Sequence, residues 1–432
     1  MREILKKIVV FVLTWEAGLI LKKYKPKIVA VTGSVGKTST KDAIFKVLEK
    51  KYNARKSEKS YNSDLGVPLT IIGSESGWGS VSKWSGIIWK GIKLFLKRSP
   101  YPEILVLEVG ADRPGDIKKI RRLITPDVAV LTQLAETPVH IEFFADAEEV
   151  FKEKSELVAG LGTERKVILN FDDKEIMKMR EKAEAQISTY GLCAGADIKA
   201  SGYKIFYQKE GRKSVPEGIE FNIKTGSEEF EVRIRGAFGK HQVYPALAAL
   251  AVASALEIKL EDSVESLSLY SPPPGRLKIL KGIKDTLILD DTYNSSPKAL
   301  EAALEVLDQL KAKRKIAVLG DMLELGKHTI TAHRDLGKVA AGVADIICMV
   351  GVWAKFFMEG ALKEGFKKKT IYTFESSDAA GAELEKLIEP GDLILVKGSQ
   401  GIRMEKIVEK IMAEPEKKGE LLCRQDKAWQ AR

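Results

Sequence analysis

One stretch limits the possible folds more than any other. Residues 28–31 are an apolar run, Gly33-Ser-Val-Gly-Lys-Thr38 follows, and from there to Lys51 the pattern turns helical, with Ile44, Val47 and Leu48 on one face. A buried strand that enters a helix through a glycine turn forms a phosphate cradle. The glycines let backbone N–H groups close on phosphate oxygens, and the helix N-terminus adds partial positive charge. Gly33, Ser34, Val35, Gly36, Lys37 and Thr38 are therefore the candidate nucleotide loop. Lys37 would reach the outer phosphates, and the Thr38 hydroxyl would ligate Mg2+. The spacing departs from G-x-x-x-x-G-K-[ST] at one place, because Val31 stands where the first glycine would be.

The rhythm begun there continues. Residues 104–107, 128–131 and 167–169 read as further buried strands, separated by helical stretches. Alternation of this kind predicts a parallel sheet covered on both faces, with ligands beyond the carboxyl ends of the strands. Glu108 and His140 fall beyond such ends, so both can converge on the loop. A carboxylate there is a natural magnesium ligand. Alone, Glu108 reads equally as a capping or salt-bridged acid, and His140 as a hydrogen-bonded structural histidine. Residues 198–234 alternate with turns and predict an antiparallel extension of the sheet. Ser271-Pro-Pro-Pro-Gly275 is a linker, and beyond it strands at 286–289, 316–319, 346–350, 371–374 and 393–396 predict a second parallel sheet. The expected fold class is α/β: a central P-loop ATPase-like parallel-sheet domain with an antiparallel extension, then a Rossmann-like C-terminal α/β domain. The expected boundaries are 1–26 for an N-terminal amphipathic helix, 27–272 and 273–413 for the two domains, and 414–432 for a loose polar tail.

Composition narrows the partners. The net charge of +10 suits anionic ligands, but the lysines are spread along the chain and do not point to nucleic acid. The three cysteines are far apart and lack C-x-x-C spacing, which argues against a disulfide framework or zinc and suits a reducing cytoplasm. Residues 8–20 are too short and, with Glu16, too polar for a confident span. They predict a helix packed on the body of the protein. The alternative is an interfacial helix anchored by Trp15 and the lysines that follow, giving peripheral contact with the inner face of the membrane. Residues 74–101, with Trp78, Trp84 and Trp89, form a second apolar-basic stretch, read first as a helix covering the sheet.

The motifs taken in order resemble a family. G-S-V-G-K-T-S-T-K, Y-N-S-D-L-G-V-P-L-T, L-E-V-G-A-D-R-P-G-D-I, P-P-G-R, L-D-D-T-Y-N-S-S-P, L-G-D-M-L-E-L-G and V-K-G-S, between Lys27 and about Ile411, are similar to the Mur ligases of peptidoglycan precursor synthesis. Y-N-S-S-P and L-G-D-M-L-E-L-G resemble the branch that joins D-Ala-D-Ala to a UDP-sugar tripeptide. The resemblance implies ATP and two Mg2+ sites, an acyl-phosphate intermediate, and a nucleotide-sugar peptide and D-Ala-D-Ala as substrates of a cytoplasmic monomer. It implies that Lys37 and the loop hold the ATP phosphates, that Thr38 and Glu108 bind one metal, and that His140 helps bind a second. Lys154 matches the family lysine that is carbamylated, with Lys152 as the register alternative. Asn62 matches the asparagine of the Y-N loop. Arg276 would reach the phosphates, Asp291, Tyr293 and Asn294 would lie by ribose and adenine, and Lys397 would act on the acyl phosphate or acceptor when the C-terminal domain closes.

Two departures stand out. Gln242 follows His241, and Pro245 replaces the asparagine expected before the alanine-rich helix. Only the apolar-basic helix precedes Lys27, where the family carries a domain that grips UDP. The competing readings are a ligase of the same superfamily with another carboxylate and amine, including a folylpolyglutamate-like one, or a non-catalytic P-loop module.

Overall fold

The computed structural model describes residues 2–58, 61–77, 80–134, 144, 146–211, 213–426 and 429. The chain forms two compact units. The first comprises Met1–Tyr203, Glu220–Arg233 and Gln242–Tyr270; the second comprises Lys204–Ile219, Ile234–His241 and Ser271–Arg432.

Among the described residues, the first unit opens with helix α1 (Arg2–Tyr24), strand β1 (Lys27–Thr32) and helix α2 (Lys37–Leu48). It continues through β2 (Ala54–Lys56), α3 (Gly66–Ile72), α4 (Val81–Leu96), β3 (Ile104–Glu108), α5 (Asp116–Leu123), β4 (Val128–Leu131) and α6 (Ala147–Ser155). Then come β5 (Lys166–Asn170), α7 (Lys174–Lys178), β6 (Gln186–Gly191), β7 (Ile198–Glu210), β8 (Lys213–Thr225), β9 (Glu228–Arg235), α8 (Val243–Ala255) and α9 (Leu260–Ser268), with residues 204–210 of β7, 213–219 of β8 and 234–235 of β9 belonging to the second unit. The strand order is β2-β3-β1-β4-β5-β6-β7-β8-β9. Neighbouring strands from β2 to β7 pair in parallel. The turns at Gly211 and Gly226 are too tight for a crossover, so β7, β8 and β9 run antiparallel, as the alternating pattern predicts. β1 is followed by strands on one side and then by β4 on the other. That reversal is a topological switch point, and it opens a crevice at the carboxyl end of β1.

Burial explains the unbroken apolar strands. Residues 28–32 of β1 and all of β3 and β4 are buried, because helices cover both faces. α1 packs on this body through Leu13, Ala17 and Ile20, one face of a helix at i, i+4, i+7. Two strands escape the sequence reading. β2 has three half-buried residues, and β6 is a polar run with no apolar block.

The second unit holds β10 (Lys278–Gly282), β11 (Thr286–Asp291), α10 (Pro297–Gln309), β12 (Arg314–Gly320), α11 (Thr329–Val343), β13 (Ile346–Val350), α12 (Ala354–Lys363), β14 (Ile371–Phe374), α13 (Ser377–Leu387), β15 (Asp392–Lys397), α14 (Glu405–Ile411) and α15 (Lys418–Leu421). Its order is β10-β11-β15-β12-β13-β14, parallel apart from β10. The expected strands all form, and β10 is the addition.

The loose tail expected from residue 414 is corrected in part. Leu422, Cys423 and Arg424 are buried. The Arg424 guanidinium donates to the carbonyls of Thr292 and Tyr293 and pairs with the buried Glu405 carboxylate at 2.8 Å. A polar sequence without period can still dock when a buried acid and free carbonyls await its cation.

Candidate active site

β1 delivers the phosphate loop to the switch point. Gly33 (φ 146°) and Gly36 (φ 82°) both adopt positive φ. A Cβ on Gly33 would collide with the Thr132 hydroxyl, so that position has no room for a side chain. Gly36 turns the chain into α2, whose first N–H groups then face the loop. The loop is held from outside. Ser34 N–H donates to Gln133 O at 2.7 Å, and Thr132 Oγ1 donates to Val35 O at 2.7 Å. The Lys37 ammonium lies over the loop, donating to Gly33 O at 2.9 Å and Ser34 O at 3.2 Å.

Sheet register brings the acid to the loop. β1 pairs with β3 so that Val31 lies opposite Glu108. The buried Glu108 carboxylate accepts from Thr38 Oγ1 at 2.9 Å on one oxygen and from Asn62 Nδ2 at 3.0 Å on the other. Its backbone N–H donates to Ser57 Oγ at 3.1 Å. Thr38, Glu108 and Asn62 thus form one hydrogen-bonded group beside Lys37.

Lys154 is turned inward on α6. Asp146 caps that helix by accepting from Glu149 N–H. The neighbouring Glu153 carboxylate accepts from the N–H groups of Gly115 and Ile117, at 2.7 and 2.6 Å, and so clamps α6 to the start of α5. Burial, aided by the Lys37 charge, lowers the Lys154 amine to about 7 against the opposing pull of Glu153, Asp112 and Asp116. Lys152 is exposed and pairs with Glu148 at 2.9 Å, which separates the two register alternatives. His140 lies outside the described residues.

The oxygen donors of Thr38 and Glu108 fit Mg2+, a hard ion that takes oxygen ligands. Among the described residues no group of three His, Cys, Asp or Glu side chains gathers for a metal. Lys154 as an amine cannot serve; a carbamate on it could.

A second cluster lies within the second unit. Register again builds it, since Asp291 at the end of β11 lies opposite Lys397 at the end of β15. The buried pair meets at 2.5 Å, and Lys397 also donates to Asn294 O at 2.9 Å. Burial pulls the Lys397 amine below the ordinary lysine value, with Asp291 opposing. Asn294 Oδ1 accepts from Gln400 N–H at 3.3 Å. The Arg276 guanidinium stacks on the Tyr293 ring, 4.0 Å from its centroid, and Arg424 approaches the same ring at 5.6 Å. His241 is exposed in this unit.

Comparison with known proteins decides the family. Residues 90–253 match the Mur ligase middle domain, and residues 275–400 match the Mur ligase, glutamate ligase domain. A UDP-N-acetylmuramoyl-tripeptide–D-alanyl-D-alanine ligase of Bacillus subtilis is 31% identical over 92% of this chain and 79% of that protein. The chain belongs to the Mur ligase family. Among solved structures, MurF of Thermotoga maritima in complex with ADP superposes on this Mur ligase with a TM-score of 0.75, at 27% identity, over 95% of this chain and 84% of that one. MurF of Acinetobacter baumannii gives the same TM-score at 28% identity, over 92% and 79%.

In this Mur ligase the described residues anticipated from sequence fall into two groups, one in each unit. Lys37, Thr38, Asn62 and Glu108 gather at the loop, with Lys154 close enough to feel the Lys37 charge. Arg276, Asp291, Tyr293, Asn294 and Lys397 gather in the second unit. Sequence reasoning missed Thr132, Gln133, Glu153 and Arg424. The strand-end rule that singled out Glu108 after β3 would have found Thr132 after β4. Nothing local marks Arg424.

Proposed function

We propose that this Mur ligase is the ATP-dependent enzyme that joins D-alanyl-D-alanine to UDP-N-acetylmuramoyl-tripeptide, the reaction named for its relatives. The observation that carries the reading is the buried Glu108 carboxylate held by Thr38 and Asn62 at the mouth of a lysine-bearing phosphate loop. A carboxylate is a poor electrophile. Transfer of the ATP γ-phosphoryl to it gives an acyl phosphate; the dipeptide amine attacks the carbonyl, phosphate leaves with the bonding pair, and the amine loses a proton. The chain's task is to hold anions together, which calls for fixed cations and N–H dipoles. Lys37 and the loop N–H groups bind the phosphates of ATP. Thr38 and Glu108 would hold one Mg2+, and a carbamylated Lys154 with His140 would hold a second. Bound magnesium neutralises charge on the transferring phosphoryl group.

Burial favours the neutral form of the Lys154 amine, and it is the neutral amine that adds to CO2, releasing one proton as the carbamate forms. Asp291, Tyr293 and Asn294 are assigned to the nucleoside, Arg276 to the phosphates, and Lys397 to the acyl-phosphate step.

The test is phosphate release from ATP by the purified chain with UDP-N-acetylmuramoyl-tripeptide and D-alanyl-D-alanine. Turnover confined to a different acceptor and amine would reassign the substrates within the family. Lys154→Ala is expected to lower kcat by about 100-fold or more, while Lys152→Ala stays near the parent. Labelled bicarbonate should give a carbamate NMR signal that Lys154→Ala abolishes.

A further inference from the structure

Helices α1 and α4 carry a surface that the nucleotide site does not use. α1 buries Leu13, Ala17 and Ile20. Turned away from that face, Ile8, Phe11 and Trp15 recur at helical spacing, and Phe11 and Trp15 are 73% and 59% exposed. α4 buries Ile87 and Gly91 but exposes Val81, Trp89, Phe95 and Leu96, with Trp89 at 67%. The two helices are neighbours. The Glu16 carboxylate lies so close to Gly91 that a Cβ there would collide with it. Near their C-terminal ends, Lys23 Nζ donates to the carbonyls of Leu94, Phe95 and Lys97, and Tyr24 Oη donates to Leu94 O. More than half of the exposed large apolar side chains among the described residues sit on this one helix pair. A water-facing helix surface is ordinarily polar, and a concentrated apolar one marks an interaction site.

Charge selects the occupant. Residues 81–98 carry Lys83, Lys90, Lys93, Lys97 and Arg98 and no carboxylate. On and beside α1, Lys6, Lys7, Lys22 and Lys25 are exposed while Glu16 is buried. Indole rings surrounded by lysines suit a bilayer interface. The rings sit at headgroup depth, the lysine stems lie along the apolar layer, and each ammonium is drawn to anionic lipid. Among the described residues no helix is long and apolar enough to cross a membrane, so the contact runs along the plane. We infer that the outward face of α1 and α4 docks on a bilayer surface rich in anionic lipid. Neither helix supplies a residue to the phosphate loop or the Glu108 group, so the docking is separate from the ligase reading.

Sedimentation of the full chain with vesicles, without ATP or substrates, tests this. Binding is expected to vesicles containing roughly one-third phosphatidylglycerol, to be weak on phosphatidylcholine alone, and to fall as salt rises. Trp15→Ala combined with Trp89→Ala, and separately Lys83→Glu combined with Lys93→Glu, should each lower partitioning by about tenfold at unchanged Tm. Absence of sedimentation, equal binding to both vesicle types, or parent-like binding by either double variant would overturn the inference. So would a lipid-free dimer that Trp15→Ala with Trp89→Ala dissolves, which would assign the face to a second copy of the chain.

Discussion

Thr132 contributes something the phosphate loop cannot supply for itself. Its hydroxyl ties Val35 O to the end of β4, and its neighbour Gln133 receives Ser34 N–H. A loop that turns toward phosphate needs its backbone held from outside: Thr132 holds the Val35 carbonyl, and Gln133 O fixes the loop by taking the Ser34 N–H. Thr132→Val keeps the shape but removes the donor, leaving Val35 O without it at a cost of about 1 kcal/mol. The expected result is a rise of up to about tenfold in KM for ATP with kcat and Tm little changed, read from initial rates. Lys37 and Glu108 were legible because a glycine turn fixes the place of one and a strand end fixes the place of the other, and both signals are local. Thr132 lies where the same strand-end rule points, one residue past β4, but a neutral hydroxyl there does not announce that it holds a loop carbonyl. Lys152 and Lys154 sit two positions apart on one helix, and only packing tells the buried one from the exposed one.

At the scale of elements, the seam between α1 and α4 holds a liability. Both carboxylate oxygens of Glu16 are buried without a hydrogen-bond partner among the described residues, and burial pushes the group up to about 7. A carboxyl whose folded value lies above its unfolded value of 4.5 binds its proton more tightly in the native state. Native stability therefore falls as pH rises from about 4.5 through 7, and the loss is complete above that window. Glu16→Gln stays neutral throughout. It should have a higher Tm than the parent at pH 8, by a few degrees, and the gap should close toward pH 5. A gap that does not change with pH would mean that the carboxyl is ionised and paired in the native protein. Long apolar strands such as β1 and β3 could be read because both faces are covered. β2 and β6 could not, because a strand stabilised by its neighbours' hydrogen bonds needs no apolar pattern of its own.

At the scale of the whole molecule, each unit has its own apolar core and its own charged cluster. The second cluster depends on a distant cation. Arg424 and Glu405 form a buried pair at 2.8 Å. Removing one partner of such a pair costs about 3 kcal/mol or more, because the other charge stays buried. Arg424→Ala should speed amide hydrogen exchange in β11 and the turn through Asn294 while leaving β1, β3 and β4 as slow as in the parent. Uniformly faster exchange in both units would show that the pair stabilises more than its own cluster. Sequence pattern anticipated the two α/β sheets, but it had no means of showing that a lysine- and glutamate-rich segment folds back onto Tyr293.

That return contact also sets an order of events during translation. The cation that secures the carbonyls of Thr292 and Tyr293 follows them by 132 and 131 residues. Chains fold from the N-terminal side as they are made, so the phosphate loop and Glu108 can settle while the β11 end is still without its anchor. A chain stopped within that interval would carry the glycine loop and Glu108 but lack the cation that secures the carbonyls of Thr292 and Tyr293, a nascent product with one charged cluster built and the other still open.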